Sequence, residues 1–212
     1  MKFFIKKKNI FCSKSKFTTG FTLVELLITI VIFVMLTGVV LFNQNKFDST
    51  ILLKNLAYDI ALTIRQAQTY GVNVKESPIS GDFTSYGVYI KIEENKKIIF
   101  FSDLSSSKDG RFSDADTTCS PNDTSSECLQ KYTLKRGNYI SKLCVLDTDG
   151  SCLDVDELTI NFVRPNPDAY IYADDDFVNR KKYAEIELSS SDNSSKISVV
   201  VTSVGQIYVK KQ

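Results

Sequence analysis

The feature that most constrains the fold is a long apolar segment near the N-terminus, from Phe21 to Phe42. Its 22 residues include one charged side chain and three threonines, which are Glu25, Thr22, Thr29 and Thr37. In a helix with a rise of 1.5 Å per residue, the segment would be about 33 Å long, and the hydrocarbon core of a bilayer is about 30 Å thick. We therefore predict a helix that crosses a membrane.

The residues before this segment are strongly basic. Residues 1–20 contain six lysines and no acidic residue, and such flanks stay on the cytoplasmic side of a membrane. We expect a single-pass protein whose C-terminal part lies outside. The alternatives are an uncleaved anchor and an ordinary secretory signal, but a signal has a shorter apolar region that ends at a small-residue cleavage site. Here the polar run Asn43-Gln44-Asn45-Lys46 follows instead.

The junction between the basic leader and the span has a specific pattern. Gly20 precedes Phe21, and Glu25 is the fifth residue after Gly20. With the apolar run that follows, the pattern resembles the processing site of type IV prepilins and of the related pseudopilins of type II secretion. The resemblance implies cleavage after Gly20 and N-methylation of Phe21, and it implies a filament subunit rather than an enzyme.

The same resemblance implies a location and a set of partners. The precursor would lie in the bacterial inner membrane with a cytoplasmic N-terminus, and the product would join an extracytoplasmic filament. Its expected partners are other pilin or pseudopilin subunits, the prepilin peptidase and methyltransferase, an inner-membrane assembly platform and membrane lipid.

Glu25 needs a partner or a function, because a carboxylate in the span costs about 2.5–3.5 kcal/mol on insertion scales. Cleavage after Gly20 would free an amino group on Phe21, about 6 Å along the helix from Glu25. The prepilin resemblance implies that Glu25 pairs with the N-terminal amine of a neighbouring subunit and sets the register of the stacked helices. The alternative is that Glu25 lies at the interfacial end of the span and extends its side chain to the headgroups.

Cleavage would also change the net charge. The whole chain has a net charge of +1, and without residues 1–20 it has 20 basic and 25 acidic residues, a net charge of −5. Nucleic-acid binding depends on clustered positive charge, so this composition argues against nucleic acid as a partner. The remaining basic candidates are Arg180-Lys181-Lys182 and Lys210-Lys211, and such runs are usually solvated surface.

The cysteines predict disulfide bonds. Cys12 lies in the leader, and four cysteines remain after cleavage, which are Cys119, Cys128, Cys144 and Cys152. An even set in an exported domain predicts two disulfides, for which three connectivities are possible. We favour Cys119–Cys128 with Cys144–Cys152, because each pair would close a short polar loop. A four-cysteine zinc site is the alternative, although the spacings lack the short knuckles typical of structural zinc.

Catalysis and metal binding have little support in the sequence. The chain contains no histidine, so it cannot build a Ser-His-Asp triad, a Cys-His pair or a His-ligated zinc. The acidic runs Asp114/Asp116 and Asp174–Asp176 lie in polar loops, where carboxylates are more often solvated than catalytic. We predict no enzyme activity and no cofactor. Calcium stays open, because Asp147 and Asp149 resemble part of an oxygen-ligand loop, with ordinary Asp-Gly turn chemistry as the alternative.

The periodicity predicts an α+β fold. Apolar residues at intervals of three and four extend the helix to Tyr70, with Gly71 as its expected stop; they are Leu53, Leu56, Ile60, Ile64 and Ala67. Strands are predicted at 83–92, 97–101, 131–136, 139–146, 157–163, 169–172, 183–188, 196–202 and 206–210. Polar loops are predicted at 103–127, 147–156 and 189–195.

These elements predict a long N-terminal helix, membrane-spanning in its first half, packed on a mainly antiparallel β-sheet head. The predicted divisions are a cleaved leader at 1–20, a transmembrane half of the helix at 21–42, an amphipathic half at 43–71 and a β-rich extracytoplasmic head at 72–212.

Several head segments are similar to the minor pseudopilin and FimT-like group. They are Ile64-Arg65-Gln66-Ala67-Gln68, Tyr86-Gly87-Val88-Tyr89, the run 158–162 and the closing run 197–209. This resemblance implies an alternative function, a minor tip pilin whose head binds DNA or acts as an adhesin. The chain departs from these families at Gln206, where many members of the group are basic, and at Phe42, near which pilin helices often carry a proline.

Overall fold

The computed structural model describes residues 20–73, 84–104, 109–112, 119, 126–146, 151–174 and 176–211, without the side chains of 42–48 and 177–179. The chain divides into two compact units, Met1–Gln44 and Asn45–Gln212. The fold is α+β and pilin-like, as predicted.

The long helix α1 runs from Leu23 to Val72 and contains 50 residues. It begins after Thr22, whose Oγ1 accepts a hydrogen bond from the backbone N–H of Glu25 at 3.3 Å. A threonine at this position satisfies one of the free N–H groups at a helix start. Within α1, Leu23–Leu41 is long and apolar enough to cross a membrane, and its side chains are exposed in the structure.

Two antiparallel sheets form the rest of the described chain. The first has the strand order β3-β2-β1-β6-β7-β8 and the second the order β11-β10-β9-β4-β5. The strands are β1 (Tyr86–Lys91), β2 (Lys97–Ser102), β3 (Cys128–Thr133), β4 (Tyr139–Leu146), β5 (Cys152–Asp154), β6 (Glu157–Phe162), β7 (Ala169–Ala173), β8 (Asp176–Lys181), β9 (Tyr183–Ser189), β10 (Lys196–Thr202) and β11 (Ile207–Lys211). A short 3₁₀ helix, Ile92–Glu94, connects β1 to β2.

The main core lies between α1 and both sheets. One face of the helix is buried, with Leu53, Ala57, Ile60, Ile64 and Ala67 each at most 3% exposed. Leu56 is only partly buried at the edge of this core, so the buried face is centred on Ala57 rather than on Leu56. Small side chains at Ala57 and Ala67 let the helix backbone approach the strands closely.

A second apolar cluster covers the opposite face of the first sheet. Because side chains alternate along a strand, Ile98 and Phe100 of β2 enter the main core while Ile99 and Phe101 face the other way. These two residues pack with Phe112 and Cys128. The segment around Phe112 therefore adds apolar contacts to a face that would otherwise meet solvent.

The helix ends one residue beyond the predicted stop at Gly71. The helix continues through Gly71 to Val72. A Cβ atom on Gly71 would lie 2.5 Å from the carbonyl oxygen of Phe162. The residue is therefore a glycine because the end of α1 packs directly on β6.

Strand prediction failed at two places. β5 lies inside the predicted polar loop 147–156, and it is three exposed residues long. β8 begins within the acidic run that was expected to be a loop. The bounds of β3 also differ from the prediction of 131–136, because the strand runs from Cys128 to Thr133.

Candidate functional site

The leader–helix junction is open in the structure. Gly20, Phe21 and Thr22 precede the helix and are exposed, and the Phe21 side chain is 71% exposed. A Cβ atom on Gly20 would meet no heavy atom within 4 Å. Nothing in the described chain therefore requires a glycine at this position for packing.

Glu25 lies in the first turn of α1, on the C-terminal side of the junction. Its backbone N–H is bonded to Thr22, and among the described residues its carboxylate has no side-chain partner. A carboxylate in the first turn of a helix is favoured by the positive end of the helix dipole. This local effect positions the charge but leaves both carboxylate oxygens available to an external donor.

The comparisons with known proteins concern this N-terminal part of the chain. Residues 16–41 match the family model described as the prokaryotic N-terminal methylation motif. This segment fits a prepilin-type pilin or pseudopilin. The match implies processing by a prepilin peptidase and assembly with other pilins, and it points to a structural protein. No curated protein and no solved structure matches the chain.

The head of this pilin-like protein contains two disulfide bonds. They join Cys119 to Cys128, with Cα atoms 5.0 Å apart, and Cys144 to Cys152, with Cα atoms 5.6 Å apart. Cysteines held in disulfides cannot act as thiolate ligands, which disfavours the zinc alternative. The second bond links β4 to the short edge strand β5, where Leu146 pairs with Cys152 in the ladder. It thus secures a strand that has only three residues.

The candidate calcium residues, Asp147 and Asp149, lie outside the described residues, as do Asp114 and Asp116. Within the other acidic run, Asp174 accepts hydrogen bonds from the backbone N–H groups of Asp156 and Glu157 at 2.8 and 2.9 Å. Asp176 forms an ion pair with Lys181 at 2.9 Å. These two carboxylates therefore stabilise a turn and a strand rather than form a reactive pair.

Sequence reasoning missed the burial of two carboxylates that flank the segment between β2 and β3. Asp103 is 1% exposed and Glu127 is 4% exposed. Asp103 Oδ2 accepts hydrogen bonds from Ser85 Oγ at 3.2 Å and from the backbone N–H of Gly110 at 2.9 Å. Glu127 Oε1 accepts one from the backbone N–H of Leu104 at 3.1 Å. They hold Leu104 and Gly110 in the described part of the segment between β2 and β3, and no local pattern distinguishes them from solvated loop acids.

The candidate basic residues are divided between two places. Arg180, Lys181 and Lys182 line a cavity of about 300 Å³ together with Asp168, Tyr170 and Val204. Lys210 instead lines a cavity of about 170 Å³ with Lys142, Glu185 and Glu187. Lys210 and the run from Arg180 to Lys182 therefore line separate cavities.

Several charged groups of the head have shifted pKa values because of local partners. The pKa of Asp192 is lowered to about 2 by hydrogen bonds from the hydroxyl groups of Ser190 and Ser194 and from the Ser194 N–H. Hydrogen bonding to Glu187 raises the pKa of Lys196. Burial, followed by the hydrogen bond to Glu185, raises the pKa of the Tyr183 hydroxyl. All of these groups hold strands or turns together.

Proposed function

We propose that this chain is the precursor of a structural subunit in a type IV pilus-like or type II secretion pseudopilus filament. The observation that carries the proposal is the methylation motif at residues 16–41, at a junction that is exposed and followed by a capped apolar helix. In this proposal a prepilin peptidase cuts after Gly20, and the new N-terminus on Phe21 is methylated.

The environment of Gly20 supports an external reason for the glycine. A side chain there would have open space, so the fold itself would accept one. The restriction would come from the peptidase, whose substrate groove must admit the backbone on both sides of the cut bond. Thr22, on the product side, would keep the helix start capped after cleavage.

Glu25 would then act in assembly. Cleavage creates a charged amine on Phe21, one helical turn from Glu25 in the same subunit and within reach of Glu25 in a neighbour. Pairing with a neighbouring amine would offset the cost of a carboxylate in the span, which is about 2.5–3.5 kcal/mol. Two neighbouring helices can form this pair only at one offset along their axes. The pairing would therefore set the register of the stacked helices.

The proposed organisation has the leader at 1–20, the transmembrane half of the helix at 21–42, the amphipathic half at 43–71 and the head at 72–212. Six leader lysines would hold the N-terminus in the cytoplasm. The head would be exported, where an oxidising compartment favours its two disulfides. An inner-membrane assembly platform would add the cleaved subunit to the filament.

Intact mass spectrometry of the membrane-extracted protein tests this proposal. We expect a chain that begins at Phe21 and carries one additional methyl group. Gly20→Val should block cleavage, whereas Ser15→Val, a similar change within the leader, should not. A mature N-terminus at any other residue would contradict the proposal.

The alternative function, a tip pilin whose head binds DNA, has weaker support. The head segments that resemble the FimT-like group remain a prediction, and the two basic runs line separate cavities. A gel shift at low salt with the head from residue 45 would detect such binding. The absence of any shift would eliminate the DNA-binding version.

A further inference from the structure

The corner between the two sheets carries a basic cavity that the filament proposal does not use. We call it the corner pocket; it is lined by Asp168, Ala169, Tyr170, Arg180, Lys181, Lys182, Ser203 and Val204, and its volume is about 300 Å³. It lies where β7 and β8 of the first sheet meet the turn between β10 and β11 of the second.

Backbone hydrogen bonds fix the walls of the corner pocket. The N–H of Ala169 donates to the carbonyl oxygen of Ser203 at 2.9 Å, and the N–H of Ser203 donates to the carbonyl oxygen of Lys182 at 2.9 Å. These bonds join segments from both sheets across the cavity. A ligand would therefore meet a preorganised surface, which lowers the entropic cost of binding.

The cations in the corner pocket differ in their availability. Lys181 is paired with Asp176 at 2.9 Å. The guanidinium group of Arg180 lies 3.7 Å from the centre of the Tyr170 ring, and stacking on an aromatic face holds an arginine while its N–H edge stays free. Among the side chains that the structure describes, neither Arg180 nor Lys182 has a carboxylate partner, and both are exposed.

The number and arrangement of these cations favour one or two carboxylate groups over a polyanion. A nucleic-acid backbone needs a track of positive charge, but Lys210 lies in a separate cavity beside Glu185 and Glu187. Asp168 also lines the corner pocket and would repel the repeated charges of a polyanion. Two free cations beside one acid match one carboxylate or a pair of them.

The other residues of the corner pocket favour a protein as the source of that carboxylate. Arginine and tyrosine are enriched where proteins bind one another, and both occur here in contact. Val204 is 63% exposed at the same site. A mixed apolar and cationic surface suits an acidic protein segment better than a lipid headgroup or free phosphate.

The geometry points to the corner pocket as a docking site for an acidic segment of a neighbouring filament subunit, with Arg180 and Lys182 binding its carboxylates and Val204 packing against its apolar part. This inference rests on the proposed filament function. Charge complementarity supports it, because the cleaved chain has 25 acidic residues, whose carboxylates can meet the cations of the corner pocket on a second copy.

A photo-crosslinking residue at Val204 of the full chain tests the docking site in cells that assemble the filament. We expect a covalent product with another pilin subunit, joined at a peptide that contains aspartate or glutamate. The double variant R180Q/K182Q should reduce this product about five- to tenfold, as expected for the loss of two exposed charge pairs. The control variant K210Q/K211Q removes equal charge from a different place and should leave the product unchanged.

The outcomes separate this inference from the proposed function. Equal crosslinking in R180Q/K182Q and in the control would overturn the docking site, while cleavage after Gly20 and recovery in filaments would still support the filament proposal. If the chain were absent from filaments but still formed the crosslink, and R180Q/K182Q reduced that crosslink, the docking site would be supported and the filament proposal contradicted. If the full chain in detergent shifts an oligonucleotide and R180Q/K182Q abolishes the shift, the pocket binds nucleic acid and the protein-docking inference is wrong.

Discussion

The side-chain amide of Gln68 donates a hydrogen bond to the carbonyl oxygen of Gly205 at 2.9 Å, and it donates a second to the carbonyl oxygen of Pro167 at the same distance. Gln68 lies near the end of α1, and both acceptors lie in connections between strands. Gly205 has a φ of +79°, and a Cβ atom there would lie 2.2 Å from the Pro167 oxygen. One buried amide thus joins the helix to two turns that would otherwise contain unsatisfied carbonyl groups.

Replacing Gln68 with leucine should destabilise the head. The variant leaves two carbonyl oxygens without their donor, and an unsatisfied buried polar group costs about 1–3 kcal/mol. Urea denaturation of residues 45–212 would measure the loss. Gln66→Leu is the matched control, because that amide bonds only to the Tyr70 hydroxyl at 3.1 Å. If both variants lost the same free energy of unfolding, the two hydrogen bonds of Gln68 would have no special importance for stability.

Gly71→Ala should also be destabilising, against the usual effect of this substitution in a helix. Alanine normally stabilises a helix interior by about 0.5–1 kcal/mol relative to glycine. At Gly71 the added methyl would lie 2.5 Å from the Phe162 oxygen, so α1 would have to move away from β6. Asn55→Ala, on the exposed side of the same helix, should be neutral or stabilising in the same denaturation experiment. A stabilised Gly71→Ala variant would show that the contact with β6 relaxes easily.

Sequence patterns predicted the parts of this fold that depend on regular burial. β4 and β10 have the predicted bounds, since both are rich in apolar residues that the fold buries. β5 escaped prediction because its three residues are exposed and depend on a neighbouring strand and a disulfide. The helix end near Gly71 was predicted to within one residue, but the sequence did not show that this glycine is also required by packing against Phe162 of β6.

The candidate sites divide in a similar way. The junction at Gly20 and Phe21 is a local pattern, so the sequence alone predicts it and the motif at residues 16–41 includes it. The corner pocket depends on residues that lie far apart in the chain. Arg180 stacks on the ring of Tyr170, and both line the same cavity as Val204. Only the folded structure shows that Lys210 lines a different cavity.

The two disulfides should each stabilise the head. Loops of eight or nine residues correspond to about 2–3 kcal/mol in the chain-entropy model. Replacing both Cys144 and Cys152 with serine should cause a loss of that size, and the edge strand β5 should then lose hydrogen-exchange protection. Replacing Cys119 and Cys128 should leave β5 protected. Peptide mapping under non-reducing conditions would contradict the pairing if it found any cross-linked peptides other than 119–128 and 144–152.

Asp192 should titrate at unusually low pH. Its pKa is about 2 in the folded head, below the ordinary value near 3.9. A lowered folded pKa gives stabilisation that is present above the unfolded pKa and disappears as the pH falls from about 4 to about 2. NMR of the side-chain carboxyl carbon would measure the pKa directly. Ser190→Ala removes the leading hydrogen-bond donor, so it should raise this pKa; an unchanged value would contradict the assigned cause.

Glu25→Ala should separate membrane insertion from filament assembly. Removal of the carboxylate makes the span more apolar, so insertion and cleavage after Gly20 should continue. The amine on Phe21 would then have no carboxylate in the neighbouring helix, and the amount of subunit recovered in sheared filaments should fall at least tenfold, as a loss of about 1.4 kcal/mol or more per contact implies. Thr29→Val is the matched control, because the Thr29 hydroxyl donates to the carbonyl oxygen of Leu26 within its own helix at 2.8 Å. Its loss changes polarity in the same span without removing a group available to a neighbour, so incorporation should stay close to normal. If Glu25→Ala entered filaments as well as Thr29→Val does, the helix register would have to be set by other contacts.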